Sequence, residues 1–304
     1  MIYLHAVVYT ALGRAIAIGL ATAVAFGLIF LREATSPSGE GYWTAMAAAP
    51  NGALYVADEI HHELRLVQPD GSHTRVGSVP AGIFRALAAD GPNLLLATEG
   101  KLWVSNDTGA TWRSVLPGRF TAASVEGSHE LAGAWGLGLY VSNDAGATWR
   151  MADVPTGDTE FESIVPDYAA TLLGLLRSPD RGLTWSRLPG LPDRMTTVSL
   201  TGSTNDPIRA GDWHGDVWAY QNTTPYNGFS VDLEKLPAAV LSVEKAVVAT
   251  TNGMYVNGRP VGGPLRGREV TRVVLSGGSY YAAEARGPIY ISDDGRSWRL
   301  VYQG

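Results

Sequence analysis

Residues 105–112 read SNDTGATW, and residues 142–149 read SNDAGATW. The pattern returns as SPDRGLTW at 178–185 and as ISDDGRSW at 291–298, with Ile where the leading Ser stood. All four share D-x-G-x-[ST]-W, led by Asp107, Asp144, Asp180 and Asp293, at steps of 37, 36 and 113 residues. The last step is close to three of the others. A fixed period of this length marks supersecondary units stacked so that each buries its face on the next.

Weaker copies fill the gap. Asp70-Gly71 lies one period before Asp107, YVNGRPV at 255–261 carries an Asn-Gly hairpin signal, and VWAYQNTT at 217–224 enters another turn. Seven turn marks result, near residues 70, 107, 144, 180, 222, 257 and 293. Around each mark the chain alternates in short apolar runs. The second unit reads IFRALAA, NLLLATE, KLWVSND and TWRSVLP, four strands punctuated by Gly, Asp and Pro. Four-stranded units repeated radially make a β-propeller, here expected to have seven blades over 41–304. Degeneracy of the fifth and sixth units leaves six or eight open, and a parallel β-helix is the rival with usually shorter repeats.

The motif belongs in the tight connection between third and fourth strands. A short Asp accepts hydrogen bonds from the N–H groups of its own turn. Gly takes φ > 0 there without a Cβ penalty. Trp112, Trp149, Trp185 and Trp298 are expected to bury their rings between neighbouring units. A catalytic acid is not needed four times in one chain, so Asp107, Asp144, Asp180 and Asp293 read as architecture.

These residues resemble the Asp-box (BNR) repeat propellers, which include sialidases, sortilin-type receptors, some endoglucanases and photosystem II assembly-factor-like proteins. The resemblance covers the chain beyond its first 40 residues, directly in four units and by period in the others. It implies the fold and leaves the function open, because members range from hydrolases to binding scaffolds. It also implies that the boxes lie opposite the binding face. That face would carry the loops between second and third strands and the entries to the first strands. The candidates placed there are Arg85, Arg119, Glu162, Arg194, Trp213, Arg272 and Arg286, with Asp58, Glu59, Glu99, Trp135 and Glu284 beside them.

Composition agrees with many short strands and turns: 45% hydrophobic, 17% charged and 36 Gly in 304 residues. A net charge of -6 argues against nucleic acid as a partner. The absence of cysteine excludes disulfides, zinc-thiolate sites and thiol catalysis. At the amino terminus, AIAIGLATAVAFGLIFL at 15–31 carries no charge between Arg14 and Arg32. With the apolar run before it, it is long enough to cross a bilayer as a helix. A signal peptide is the competing reading, but the run is long and FLREATSPSGE offers a poor cleavage site. The expected organisation is therefore a transmembrane anchor over 1–32, a tether over 33–40 and the propeller over 41–304. One Arg on each side and the amino terminus tip the orientation to N-inside, with the propeller on the extracytoplasmic face.

No complete catalytic set can be read. A sialidase needs three arginines on a carboxylate, an acid/base Asp and a Tyr activated by Glu. The family's early R-I-P signature is missing, FRAL at 84–87 being the nearest string, and Arg85, Arg194 and Arg272 form only a paper triad. Adjacent His61-His62 in DEIHHEL point opposite ways on an extended segment, so no metal site and no cofactor are expected. The expected function is a membrane-anchored, non-catalytic propeller that binds protein, as accessory subunit or assembly factor of a membrane complex. The alternative is a surface sialidase-like glycosidase or a glycan-binding protein.

Overall fold

The structure is a computed structural model and describes residues 45–158, 160–200, 208–223, 226–231, 235–284 and 287–303. The expected anchor and tether, and Arg286, lie outside the described residues. Among the described residues no helix is long and apolar enough to cross a membrane.

The described residues form twenty-eight strands in seven four-stranded sheets, each from consecutive strands paired in chain order. Blade 1 is β1 (Met46–Ala48), β2 (Leu54–Asp58), β3 (Glu63–Val67) and β4 (His73–Ser78). Blade 2 is β5 (Phe84–Asp90), β6 (Asn93–Thr98), β7 (Lys101–Ser105) and β8 (Arg113–Pro117). Blade 3 is β9 (Phe120–Glu126), β10 (His129–Ala134), β11 (Gly138–Ser142) and β12 (Arg150–Met151). Blade 4 is β13 (Phe161–Val165), β14 (Tyr168–Thr171), β15 (Gly174–Arg177) and β16 (Ser186–Arg187). Blade 5 is β17 (Met195–Leu200), β18 (Ile208–Asp212), β19 (Val217–Thr223) and β20 (Tyr226–Val231). Blade 6 is β21 (Val240–Glu244), β22 (Val247–Thr250), β23 (Gly253–Val256) and β24 (Arg259–Pro260). Blade 7 is β25 (Val270–Ser276), β26 (Ser279–Glu284), β27 (Ile289–Ser292) and β28 (Arg299–Tyr302).

First strands of successive blades pack on one another all the way round, β1 against β25 included. The chain is thus a seven-bladed β-propeller with the first strands innermost. Second strands are buried on both faces, as in β10 and β22, because each blade is covered by a neighbour on either side. The short fourth strands β12, β16 and β24 are exposed. One apolar cluster fills each seam between blades, from Leu64 with Phe84 and Leu94 between blades 1 and 2 to Leu54 with Tyr281 and Ile291 between blades 1 and 7. Antiparallel order puts the first-to-second and third-to-fourth connections at one end, here the turn face. The second-to-third loops and the links between blades form the opposite loop face.

The repeated turns join third to fourth strands. In blade 3, Thr148 N–H and Oγ1 donate to the two Asp144 carboxylate oxygens at 2.8 and 2.6 Å, and Ser142 Oγ donates to Oδ1 at 2.8 Å. Ser142 Oγ also accepts from Gly146 N–H at 2.9 Å. Blades 2 and 4 repeat the set around Asp107 and Asp180. Led by the threonine hydroxyl and then the threonine N–H, these donors hold the Asp107 and Asp144 carboxyls down to about 2. Gly146 has φ +74°, and a Cβ there would lie 2.7 Å from Val104 Cγ2 in blade 2 and from Glu130 Oε2. Its glycine is required by both backbone and neighbour.

Blade 7 corrects the alignment at Asp293. Its acceptor is Asp294, which takes Ser292 Oγ, Arg296 N–H and Ser297 N–H at 2.9, 2.7 and 2.7 Å. Asp293 is exposed and accepts from Ser279 Oγ. Ser292 therefore fills the leading-serine position, and the turn is one residue shorter between Asp and Gly. Alignment on D-x-G hid that deletion. The tryptophans divide as well. Trp185 and Trp298 are buried, whereas Trp112 and Trp149 are half-buried, each packing on the seam with the preceding blade. The indoles of Trp149, Trp185 and Trp298 donate to the carbonyl of their own turn glycine.

Candidate loop-face site

Second strands end in residues that close the loop-face turns. Thr98, Thr171 and Thr250 donate their hydroxyls to carbonyls three residues on, at 2.7, 2.9 and 2.8 Å. Asp58 and Asp212 occupy the same place and accept loop N–H groups instead, from Ile60 and His61 and from His214 and Asp216. Both carboxylates are wholly buried. Their roles are architectural, and His61 adds a 2.7 Å contact from Nδ1 to Asp58. Among the described residues no group of His, Asp and Glu is arranged to hold a metal ion.

Inner strands are bulged at the loop-face end. In blade 2, Phe84 pairs with Thr98 and Ala86 with Ala97, so Arg85 is the extra residue. The same register shift makes Glu162 the extra residue of β13, Thr196 of β17, Leu241 of β21 and Thr271 of β25. A bulge re-aims the side chain it inserts. Arg85 and Glu162 are therefore equivalent, as the repeats suggested. Arg272 stands one residue further along, level with Ala86 and Ser242. Burial lowers its pKa, and it faces Glu244 of blade 6, whose carboxyl burial pushes up to about 7.

Arg85, Arg119 and Glu162 do come together, with partners from four blades. Arg85 Nη2 bonds the Glu99 carboxylate, and Arg119 Nη2 reaches the same oxygen at 3.2 Å. The Arg119 guanidinium also lies 4.6 Å from the centre of the Trp135 ring. Glu59 accepts Phe84 N–H at 3.0 Å and sits in the field of Arg85 and Glu99. Desolvation raises the carboxyls of Glu59, Glu160 and Glu162, with Arg85 or Arg119 opposing in each case. Glu162 is exposed to solvent, yet protein around it makes desolvation the leading cause of its shift. The result is four carboxylates around two guanidiniums. Arg85 and Arg119 therefore sit in a carboxylate-rich cluster.

Arg194 and Trp213 form a separate pair of positions in blade 5. Arg194 has φ 63°, and its carbonyl accepts Trp213 N–H at 3.1 Å. Both side chains are exposed. Arg85, Arg194 and Arg272 have different surroundings: Arg85 meets Glu99, Arg272 lies in the field of Glu244, and Arg194 is exposed. Sequence reasoning missed Ile83 and Leu137, which are exposed on this face near Glu99 and Gly118. Large apolar residues next to Gly or Phe at loop ends were the available signal.

No family model matches the chain, and no curated protein matches it. Solved structures do. An ancestral GH74 enzyme matches with a TM-score of 0.64 at 14% identity, over 88% of this chain and 47% of its own. The GH74 enzyme of Niastella koreensis matches at 0.62 and 16%, over 87% and 54%. YCF48 bound to D1 peptide matches at 0.58 and 12%, over 84% and 93%. The chain spans about half the length of these GH74 structures. At such identities the likeness is one of fold, and the class it defines is the β-propeller.

Proposed function

We propose that this chain is a membrane-anchored, non-catalytic propeller of the Asp-box group that binds another protein through its loop face, as accessory subunit or assembly factor of a membrane complex. The observation carrying this reading is the grouping of exposed apolar side chains. Among the described residues seven large hydrophobic side chains are exposed, and Ile60, Ile83, Leu137 and Trp213 belong to loop-face segments, at 43, 48, 48 and 45% exposure. Apolar surface gathered on one face and mixed with charge suits a protein interface. YCF48, a propeller of like fold, is known with a D1 peptide bound. The uncharged run at 15–31 supports the anchor, with the propeller on the extracytoplasmic face.

The test is capture of the full chain from detergent-solubilised membranes after crosslinking. Crosslinks to one protein should fall on the loop-face segments of blades 1, 2, 3 and 5. Ile83→Ser with Trp213→Ala should lose them while the melting temperature holds. Crosslinks confined to the turn face, or glycan hydrolysis with no protein captured, would overturn the reading.

A further inference from the structure

We infer that the loop-face sector of blades 1–4 docks a basic segment of a partner protein, whose apolar side chains cover Ile60, Ile83 and Leu137 and whose Lys or Arg enters beside Glu162. This rests on the protein-binding reading and specifies the partner's chemistry. Among the described residues, three of the four exposed apolar residues of this face belong to blades 1, 2 and 3, next to the Glu59, Glu99, Glu160 and Glu162 carboxylates of blades 1–4. Both guanidiniums of the cluster already share the Glu99 carboxylate, and Arg119 is stacked on Trp135. Their charge is spent within the cluster. Glu162 makes no hydrogen bond or ion pair with any described residue, and as the extra residue of the bulge in β13 it lies within the field of Glu160, Arg119 and Arg85. A partner's cation placed there would gain the field of several partly desolvated carboxylates without displacing an existing pair. An acidic segment would meet excess like charge, so the same cluster discriminates between partners. The apolar residues around it supply contact area that charge alone does not.

The test uses the full chain in detergent and two labelled synthetic peptides of equal length and leucine content, one bearing lysines and the other glutamates. Fluorescence anisotropy should show the lysine peptide binding at least about tenfold more tightly. Glu59→Gln with Glu162→Gln should weaken that binding by about tenfold or more at unchanged melting temperature, since the amide oxygen introduced by Glu59→Gln still accepts the Phe84 N–H. Removing two carboxylates from the turn face, Asp70→Asn with Asp293→Asn, should leave it unchanged. Equal or tighter binding of the glutamate peptide overturns this inference while leaving the protein-binding reading intact. So does lysine-peptide binding that survives Glu59→Gln with Glu162→Gln. If neither peptide binds, the inference also fails, and absence of any crosslinked protein would then remove the reading beneath it.

Discussion

Replacing Glu130 with Leu should make the propeller more stable above neutral pH and flatten its pH dependence. Glu130 lies across from Ser142 in β10, the place that Leu94 takes across from Ser105 in blade 2 and Tyr280 takes across from Ser292 in blade 7. It is wholly buried, neither carboxylate oxygen has a hydrogen-bond partner among the described residues, and it packs under Gly146 beside Val104. Burial pushes its carboxyl up from 4.5 to about 7, with Arg113 opposing and Asp144 adding to the rise. A group whose folded pKa is raised binds its proton more tightly in the native state. Its contribution is therefore full below pH 4.5 and is lost as pH climbs through 7. The gap between 4.5 and about 7 corresponds to about 3 kcal/mol. Unfolding free energies of Glu130→Leu and wild type from urea titrations should diverge by most of that amount between pH 5 and pH 8, with little further change above. Glu244 falls in the same window, but it is common to both proteins and cancels in the comparison. Parallel pH profiles for the two proteins would show that Glu130 finds a partner in solution, and the argument from its burial would fail.

Other perturbations separate architecture from recognition. Asp294→Ala should lower the melting temperature and Asp293→Ala should leave it nearly unchanged; the reverse order would restore the D-x-G alignment. Trp185→Ala should cost about 3–5 kcal/mol in denaturant unfolding, because its ring is buried, and Trp149→Ala less, because its ring is half-exposed. Gly146→Ala should cost about 2–4 kcal/mol, from φ +74° combined with the clash on Val104, and full stability would contradict the close approach. A chain starting near Ser38 should stay in solution while the full chain requires detergent; recovery of the full chain from the soluble fraction would remove the anchor.

The blades were legible because their signals are local. Asn257 and Gly258, with φ 51° and 72°, make the hairpin that the Asn-Gly pair announces in blade 6. Strand runs such as NLLLATE map onto β6 because a strand covered on both faces reads as continuous apolar sequence. The loop face was legible only in part. Arg85 and Glu162 follow from the repeat, but Arg272 does not, because Thr271 fills the bulge position in β25 and Arg272 stands one residue beyond it. No periodicity tells whether an arginine will be neutralised: Glu99 holds Arg85 within blade 2 and Arg119 from the link to blade 3. Glu130 stood in plain view within HELAGA, an acid at an apolar position. Its meaning appeared only with the seam that encloses it.

Among the described residues no strand is exchanged across the closing seam of the ring. Blade 1 and blade 7 meet through Ser276 Oγ on the carbonyls of Ala49 and Ala53, Tyr281 OH on that of Gly52, and Gly277 against Gly52. Every backbone ladder therefore begins and ends within one unbroken stretch of chain. The propeller could be rewired so that it starts at another blade: Gly118 and Arg119 alone bridge β8 to β9, and a connector from Tyr302 to Ala45 would take the corresponding place between blades 7 and 1. Such circular permutants would sever no sheet. The order in which blades leave the ribosome is thus free to vary, while their order around the ring is not.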